Sequence, residues 1–274
     1  MKILCAGEAL VDMIGDKKTI QKSENFAKRP GGAPANVAVA ASRMKANVSM
    51  AATVGEDQFG ELMIQKLKEE NIKTENILKI PEKTTLAFVA LNENAEPEFN
   101  FYRQADRKIR KEQLNKNNYD IAHFGSLPFT NKKTAQNLTE FAKETNAKIS
   151  FDPNLRKELL TDQYLDRLQK FIEHADIIFL SDEEESKLNL QPVEEVIISR
   201  GSQGAKIKGE DISKKPPEVE KVVDTTGAGD ALTGTYLAHR NQGKEKALKK
   251  AVKASAESIK KKGAMTALPK KKDL

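Results

Sequence analysis

The chain has 274 residues, 38% hydrophobic and 31% charged, with aromatics at 5% and no Trp; this suffices for one large core or two modest ones built mainly from Ala, Val, Ile, Leu and Phe. A single cysteine, Cys5, excludes an internal disulfide and lies in an apolar run, where it reads as core filling. The net charge of +6, from 46 basic and 40 acidic residues, is dispersed and not interleaved with aromatics, which argues against nucleic acid as a partner and leaves a modest field able to draw in a nucleotide. No stretch is long and apolar enough to suggest a membrane partner, and Met1-Lys2-Ile3-Leu4 runs directly into a strand-like segment, so a cytoplasmic location is expected.

In chain order, Ile3 to Ala6 predicts a buried strand ended by Gly7, with Asp12 just beyond it. Open α/β sheets bind ligands at the carboxyl ends of their strands, which makes Asp12 a candidate acceptor for ligand hydroxyls. Residues 11–30 are polar with short alternations and predict edge strands projecting from the body. Gly31-Gly32-Ala33-Pro34-Ala35-Asn36 then opens an alanine-rich helix expected over Val37 to Met44, with Asn36 in its first turn. A strand at Val48 to Val54 and an amphipathic helix at Phe59 to Glu70 continue a βαβ rhythm. Strands at Thr85 to Leu91 and Phe99 to Tyr102 break that rhythm as a hairpin joined by the turn-rich Asn92 to Pro97. Arg103 ends the hairpin and is expected to point its fork of donors at a substrate.

The parallel pattern resumes with strands at Ile121 to Phe124, Lys148 to Asp152, Ile177 to Leu180 and Glu195 to Arg200, and helices at Lys133 to Thr145 and Gln163 to His174. Asp152, Asn154 and Arg156 leave one strand end together, a carboxylate, an amide and a guanidinium where substrate and phosphates would meet; Arg156 reads as a phosphate or substrate contact. Asp224-Thr225-Thr226-Gly227-Ala228-Gly229-Asp230 is a glycine turn running into a helix. Its small residues let the amides of Gly227, Ala228 and Gly229 converge at a helix start, a place that holds phosphate oxygens or the charge of phosphoryl transfer. A carboxylate there is a poor ligand for an anion but a good base for an attacking hydroxyl, which assigns Asp230 to catalysis. Read alone, the same residues make a capped helix start and nothing more. His123, His174 and His239 lack metal-ligand spacing and receive no chemistry.

The two glycine stretches in this order, with Gly7-Glu8-Ala9-Leu10-Val11-Asp12, Phe101-Tyr102-Arg103, Phe124-Gly125-Ser126, Asp152-Pro153-Asn154-Leu155-Arg156, Ser181-Asp182-Glu183-Glu184 and Gly263-Ala264-Met265-Thr266, resemble the ribokinase-like (PfkB) carbohydrate kinase family over essentially the whole chain. The set looks most like the fructokinase branch. The resemblance implies a single domain over 1–274, a three-layer α/β/α sandwich with a mostly parallel sheet, and a small β-sheet lid from about 12–30 and 84–103 that also serves as a homodimer contact. It implies ATP and magnesium, with Glu184 orienting water on the magnesium ion, and Asp12, Gly31, Gly32, Asn36, Arg103 and Arg156 holding the sugar. Nucleotide contacts would come from Asn154, Ser181, Ser199, Gly201, Gly204, Thr226, Gly227, Gly229 and Ala264, with the Ala247 to Lys260 helix lining the adenine site. Potassium would sit beside Asp224 and Thr226. Ser181 stands where the family commonly has asparagine, and the chain is shorter than the family near 103–107 and 185–196. The implied reaction is transfer of the γ-phosphoryl to a sugar hydroxyl, with D-fructose as acceptor; the rivals are a 2-keto-3-deoxygluconate kinase and a catalytically silent sugar- or nucleotide-binding regulator.

Overall fold

The computed structural model describes residues 1–91, 97–114, 118–190 and 193–274. Its strands are β1 (Lys2–Ala6), β2 (Leu10–Gly15), β3 (Phe26–Gly31), β4 (Asn47–Gly55), β5 (Ile77–Ile80), β6 (Leu86–Leu91), β7 (Pro97–Tyr102), β8 (Ile121–Gly125), β9 (Lys148–Asp152), β10 (Ile177–Ser181), β11 (Glu195–Ser199), β12 (Ala205–Ile207) and β13 (Ile212–Lys214). The helices are α1 (Ala33–Arg43), α2 (Gln58–Glu69), α3 (Lys132–Glu144), α4 (Asp162–Ile172), α5 (Asp182–Glu185), α6 (Ala228–His239), α7 (Lys244–Ser258) and α8 (Ala264–Ala267). The expected turn at Asn92 to Pro97 lies, up to 96, outside the described residues.

A nine-stranded sheet runs in the order β13-β12-β11-β10-β9-β8-β1-β4-β5. Its pairings are parallel from β11 to β5, and only the β11-β12-β13 edge is antiparallel. Side chains alternate across a strand, and β1 shows what that does here. Ile3 and Cys5 join a core with residues of α1, α2, α6 and α7, whereas Leu4 and Ala6 join a second core with α3 and α4. The sheet is therefore the middle layer of the expected α/β/α sandwich. Cys5 is buried as read.

Two expectations shift. Helix α1 begins at Ala33 rather than Val37, because Gly32 is its N-cap and Pro34 sits at the first helical positions, where a missing N–H costs nothing. Strands β5, β12 and β13 were not anticipated; they are short strands of three or four residues at the two ends of the sheet that carry too little alternation to register.

The second sheet, four-stranded and ordered β3-β2-β6-β7, projects from the body between β1 and α1 and again after β5. Leu10, Ala87 and Val89 pack on Leu127 with Phe99 and Phe101 against them, while Phe26, Phe88 and Tyr102 meet edge to face on the other side. Among the described residues no helix is long and apolar enough to cross a membrane.

Candidate active site

Strand β1 pairs with β4 on one side and β8 on the other, so the chain runs away in both directions and leaves a crevice at the carboxyl ends. A cleft of about 1170 Å³ occupies it. Its floor holds Glu8, Ser126, Asp152, Ser181 and Ser199, each at or just beyond the end of a central strand. The second sheet roofs it with Asp12, Ile14, Val89, Phe99 and Phe101. Leu10, Asp12 and Ile14 line the cleft together because they share one face of β2.

Helix α6 enters this cleft N-terminus first. Gly227, its N-cap, has φ of 80° and lies so close to α8 that a Cβ there would stand 3.0 Å from Ala264; both conditions call for glycine. Gly227, Gly229 and Asp230 line the cleft. The amide of Ala228, expected to point there as well, donates instead to the Thr225 carbonyl at 3.2 Å. Asp230 is buried and accepts from Asn36 Nδ2 at 2.8 Å. Helices α1 and α6 come close enough for that bond because residue 234 has no side chain: a Cβ at Gly234 would lie 2.5 Å from the Val37 carbonyl oxygen. Burial pushes Asp230 up to about 6, with the Asn36 hydrogen bond and the Arg156 charge pulling it down.

Asp12 is pushed up to about 7 by burial, opposed by Arg156 and reinforced by the Asp230 charge. Gly31 does not line the cleft; it makes room, since a Cβ there would lie 2.2 Å from Asp12 Oδ2. Gly32, with φ of 98°, passes under the cleft against the Glu8 carbonyl. Asn154, with φ of 37°, turns the chain after β9 and lines the cleft with Asp152 and Arg156. The Arg156 guanidinium carbon lies 4.8 Å over the Phe99 ring, which ties this loop to the roof. Asp152 is held well above the usual carboxylate range by burial and by the charges of Glu184 and Asp230.

At the other end of the cleft Val222, Val223, Asp224, Thr226, Lys262 and Ala264 form the wall. Ser181 caps α5 in a capping box: its amide and hydroxyl each donate to Glu184 Oε2 at 2.9 Å, while Leu155 N donates to Glu184 Oε1 at 2.6 Å. Asp224 accepts from Thr226 N at 2.9 Å and from Gly263 N at 2.8 Å, closing the turn before α6 onto the loop before α8.

The model of the pfkB family of carbohydrate kinases matches residues 1–271. The chain belongs to that family. Probable fructokinase-6, chloroplastic, of Arabidopsis thaliana is 32% identical over 310 residues, covering 98% of this chain and 80% of its own. That alignment is longer than the chain, so the relative carries segments absent here. An uncharacterized sugar kinase of Pyrococcus horikoshii, solved in complex with ATP, superposes at a TM-score of 0.89 with 32% identity, over 100% of this chain and 97% of its own. A fructokinase double mutant of Vibrio cholerae in fructose-, ADP- and potassium-bound form gives 0.88 with 27% identity, over 99% and 96%.

Within this pfkB-family kinase several expected residues stand elsewhere. Arg103 does not line the cleft. Its Nε donates to Asp106 Oδ2 at 2.8 Å, Nη1 to Thr130 Oγ1 at 2.7 Å and Nη2 to the Leu127 carbonyl at 2.9 Å, so its fork is spent inside the protein. Gly201 and Gly204 also lie off the cleft; they turn the β11-β12 hairpin, where a Cβ on Gly204 would strike the Lys214 carbonyl at 2.0 Å. Ser199 does line it, with its hydroxyl turned back to the Leu180 carbonyl at 3.1 Å. No residue of the expected Ala247 to Lys260 helix is in the wall, because α7 packs behind α6 in the core. Sequence reasoning missed Glu8 as a lining residue and Gly234 as a spacer. A carboxylate directly after a buried strand was a legible signal for the first; a helical glycine carried none for the second.

Proposed function

We propose that this kinase transfers the γ-phosphoryl of ATP to a sugar hydroxyl, with D-fructose as acceptor and fructose 6-phosphate as product. The observation that carries the reading is the bond between Asn36 and Asp230 at the N-terminus of α6, which joins the two glycine stretches into one buried site. The acceptor hydroxyl gives its proton to Asp230 as it attacks. The amides of Gly227 and Gly229, at the positive end of α6, face the charge on the transferred group. Asp12 accepts from neighbouring ring hydroxyls, and Arg156, steadied on Phe99, sets a positive charge between sugar and phosphates. The exposed Val222 and Val223 offer apolar surface to the nucleotide base.

Among the described residues no group of three or more His, Cys, Asp and Glu is arranged to hold a metal ion. Both Glu184 oxygens are engaged by protein donors, which fits a contact to magnesium through water and not a direct one. Magnesium, when bound, neutralises phosphate charge. The Asp224 carboxylate is committed to Thr226 and Gly263, which leaves backbone carbonyls, that of Thr226 among them, as the donors for a monovalent cation. The outer face of the second sheet, where Tyr102 is 62% exposed, is our candidate homodimer contact; sedimentation of the parent and of Tyr102→Glu tests it, dissociation in the variant being expected.

ADP release measured by a coupled assay over a sugar panel tests the activity, with the highest kcat/KM expected for D-fructose. A higher value for 2-keto-3-deoxygluconate would replace the assignment. Sugar or nucleotide binding without ADP release would instead identify a silent regulator.

A further inference from the structure

Two buried polar atoms in the cleft make no hydrogen bond of good geometry among the described residues and belong to residues so far given no role. Glu8 leaves the end of β1 directly beneath Gly32 and is 2% exposed. Its Oε1 accepts from the Ala33 amide at the start of α1 at 3.1 Å, which fixes the carboxyl group, and its Oε2 is buried without a hydrogen bond among the described residues. Ser126, also 2% exposed, leaves the end of the adjacent β8, and its hydroxyl, beside the buried Tyr164 hydroxyl, likewise makes no hydrogen bond of good geometry among the described residues. The residue before Ser126, Gly125, packs on Glu8: a Cβ there would stand 3.4 Å from Glu8 Oε2. Both residues line the cleft floor opposite the Asp12 face of the roof.

We propose that Glu8 and Ser126 form a hydrogen-bonding subsite that receives one sugar hydroxyl other than the phosphoryl acceptor, and so select sugars that carry it. The proposal rests on the sugar-kinase reading and extends it. A hydroxyl is donor and acceptor at once; it donates to Glu8 Oε2 and accepts from Ser126 Oγ, satisfying both atoms together. A sugar lacking that hydroxyl leaves both desolvated and unpaired, the kind of mismatch that discriminates strongly between analogues. Burial pushes Glu8 up to about 7, and in either protonation state the group bonds a hydroxyl. The subsite is also held rigidly. Ser126 begins a turn closed by Phe129 N to its carbonyl at 2.9 Å, and Arg103 clamps the following Leu127 carbonyl. Arg103 thus acts on the sugar through Ser126 as a positioning residue.

The test is a cycle of protein and substrate changes. The parent, Ser126→Ala and Glu8→Gln are assayed for kcat/KM on the preferred sugar and on analogues each lacking one hydroxyl. The parent should lose about tenfold or more on one analogue. Ser126→Ala should lose a comparable factor on the intact sugar and little more on that analogue, with KM for ATP unchanged. Equal analogue penalties in parent and Ser126→Ala would mean that the subsite holds only water, and would overturn the proposal while leaving the kinase reading intact. A parent that turns over no sugar would sink the kinase reading itself, and the subsite with it. Ser126→Ala removes a single atom and decides the matter even if Glu8→Gln fails to fold.

Discussion

Asp230 is a carboxyl group in surroundings that resist its charge, and this gives it a proton affinity suited to a base. Its value of about 6 places the acid limb of kcat/KM there: activity should fall as pH drops through about 6, as the base fills with a proton. Asp230→Asn should lower kcat by about two to four orders of magnitude while sugar and nucleotide still bind; turnover within tenfold of the parent would refute the assignment. The same variant should gain stability at neutral and higher pH. In the unfolded chain this group ionises near the ordinary value of 3.8, whereas in the native site it resists ionisation up to about 6. Native stability therefore declines as pH rises between those values, and the variant escapes that decline. Its Tm advantage should vanish in acid. Arg103 makes the opposite case. Asp106 is fully buried against it, so Arg103→Ala strands a charge at a cost of about 3–5 kcal/mol. The expected result in thermal unfolding is a large loss of Tm and, wherever the fold survives, a raised KM for sugar as the Ser126 turn loses its clamp, with KM for ATP little changed.

Pairs of elements decide whether these residues meet. The crossing of α1 and α6 depends on Gly234, and Gly234→Leu should push the helices apart, lengthen the Asn36–Asp230 contact and depress kcat although residue 234 is buried behind the site. A variant with parental kcat would show that the crossing tolerates bulk. The roof is expected to respond to ligand: hydrogen exchange over Thr85 to Leu91 and Phe99 to Tyr102 should slow when sugar is added, since that sheet shares few core residues with the body. What the sequence made legible follows the same division. The central strands could be read from short apolar runs and α2, α3 and α4 from a periodic buried face, and the cleft positions of Asp12, Asn36, Arg156 and Asp230 because each follows a central strand or lies in the first turn of a helix. Arg103 and Gly201 misled, because a strand-end arginine and a turn glycine look alike whether they face a ligand or a neighbour. Gly234 was silent, since helix packing distance leaves no mark in one chain. The burial that raises Asp152 and Asp12 is likewise a property of the closed cleft and of no single stretch.

At the scale of the molecule, two cores on opposite faces of one sheet keep the strand ends in register. The lower face is tied by edge-to-face rings, with Phe171 touching Phe124, Phe129 and Phe151 at centroid distances of 5.0, 4.7 and 5.1 Å. The site they support draws on almost the full length of the chain, and in refolding experiments kinase activity should therefore return with the slowest phase, not with the first recovery of helix signal; activity ahead of that phase would contradict this dependence. The Asn36–Asp230 bond spans 194 positions. On a ribosome adding about 5–20 residues per second, Asn36 waits roughly ten to forty seconds for its partner to be made. Strand β1 meets β4 early in that interval but pairs with β8 only after the first 121 residues have appeared. For that time the central strand has one open edge and half its future neighbours missing, so the demand on holding factors during synthesis falls on the N-terminal third of the chain.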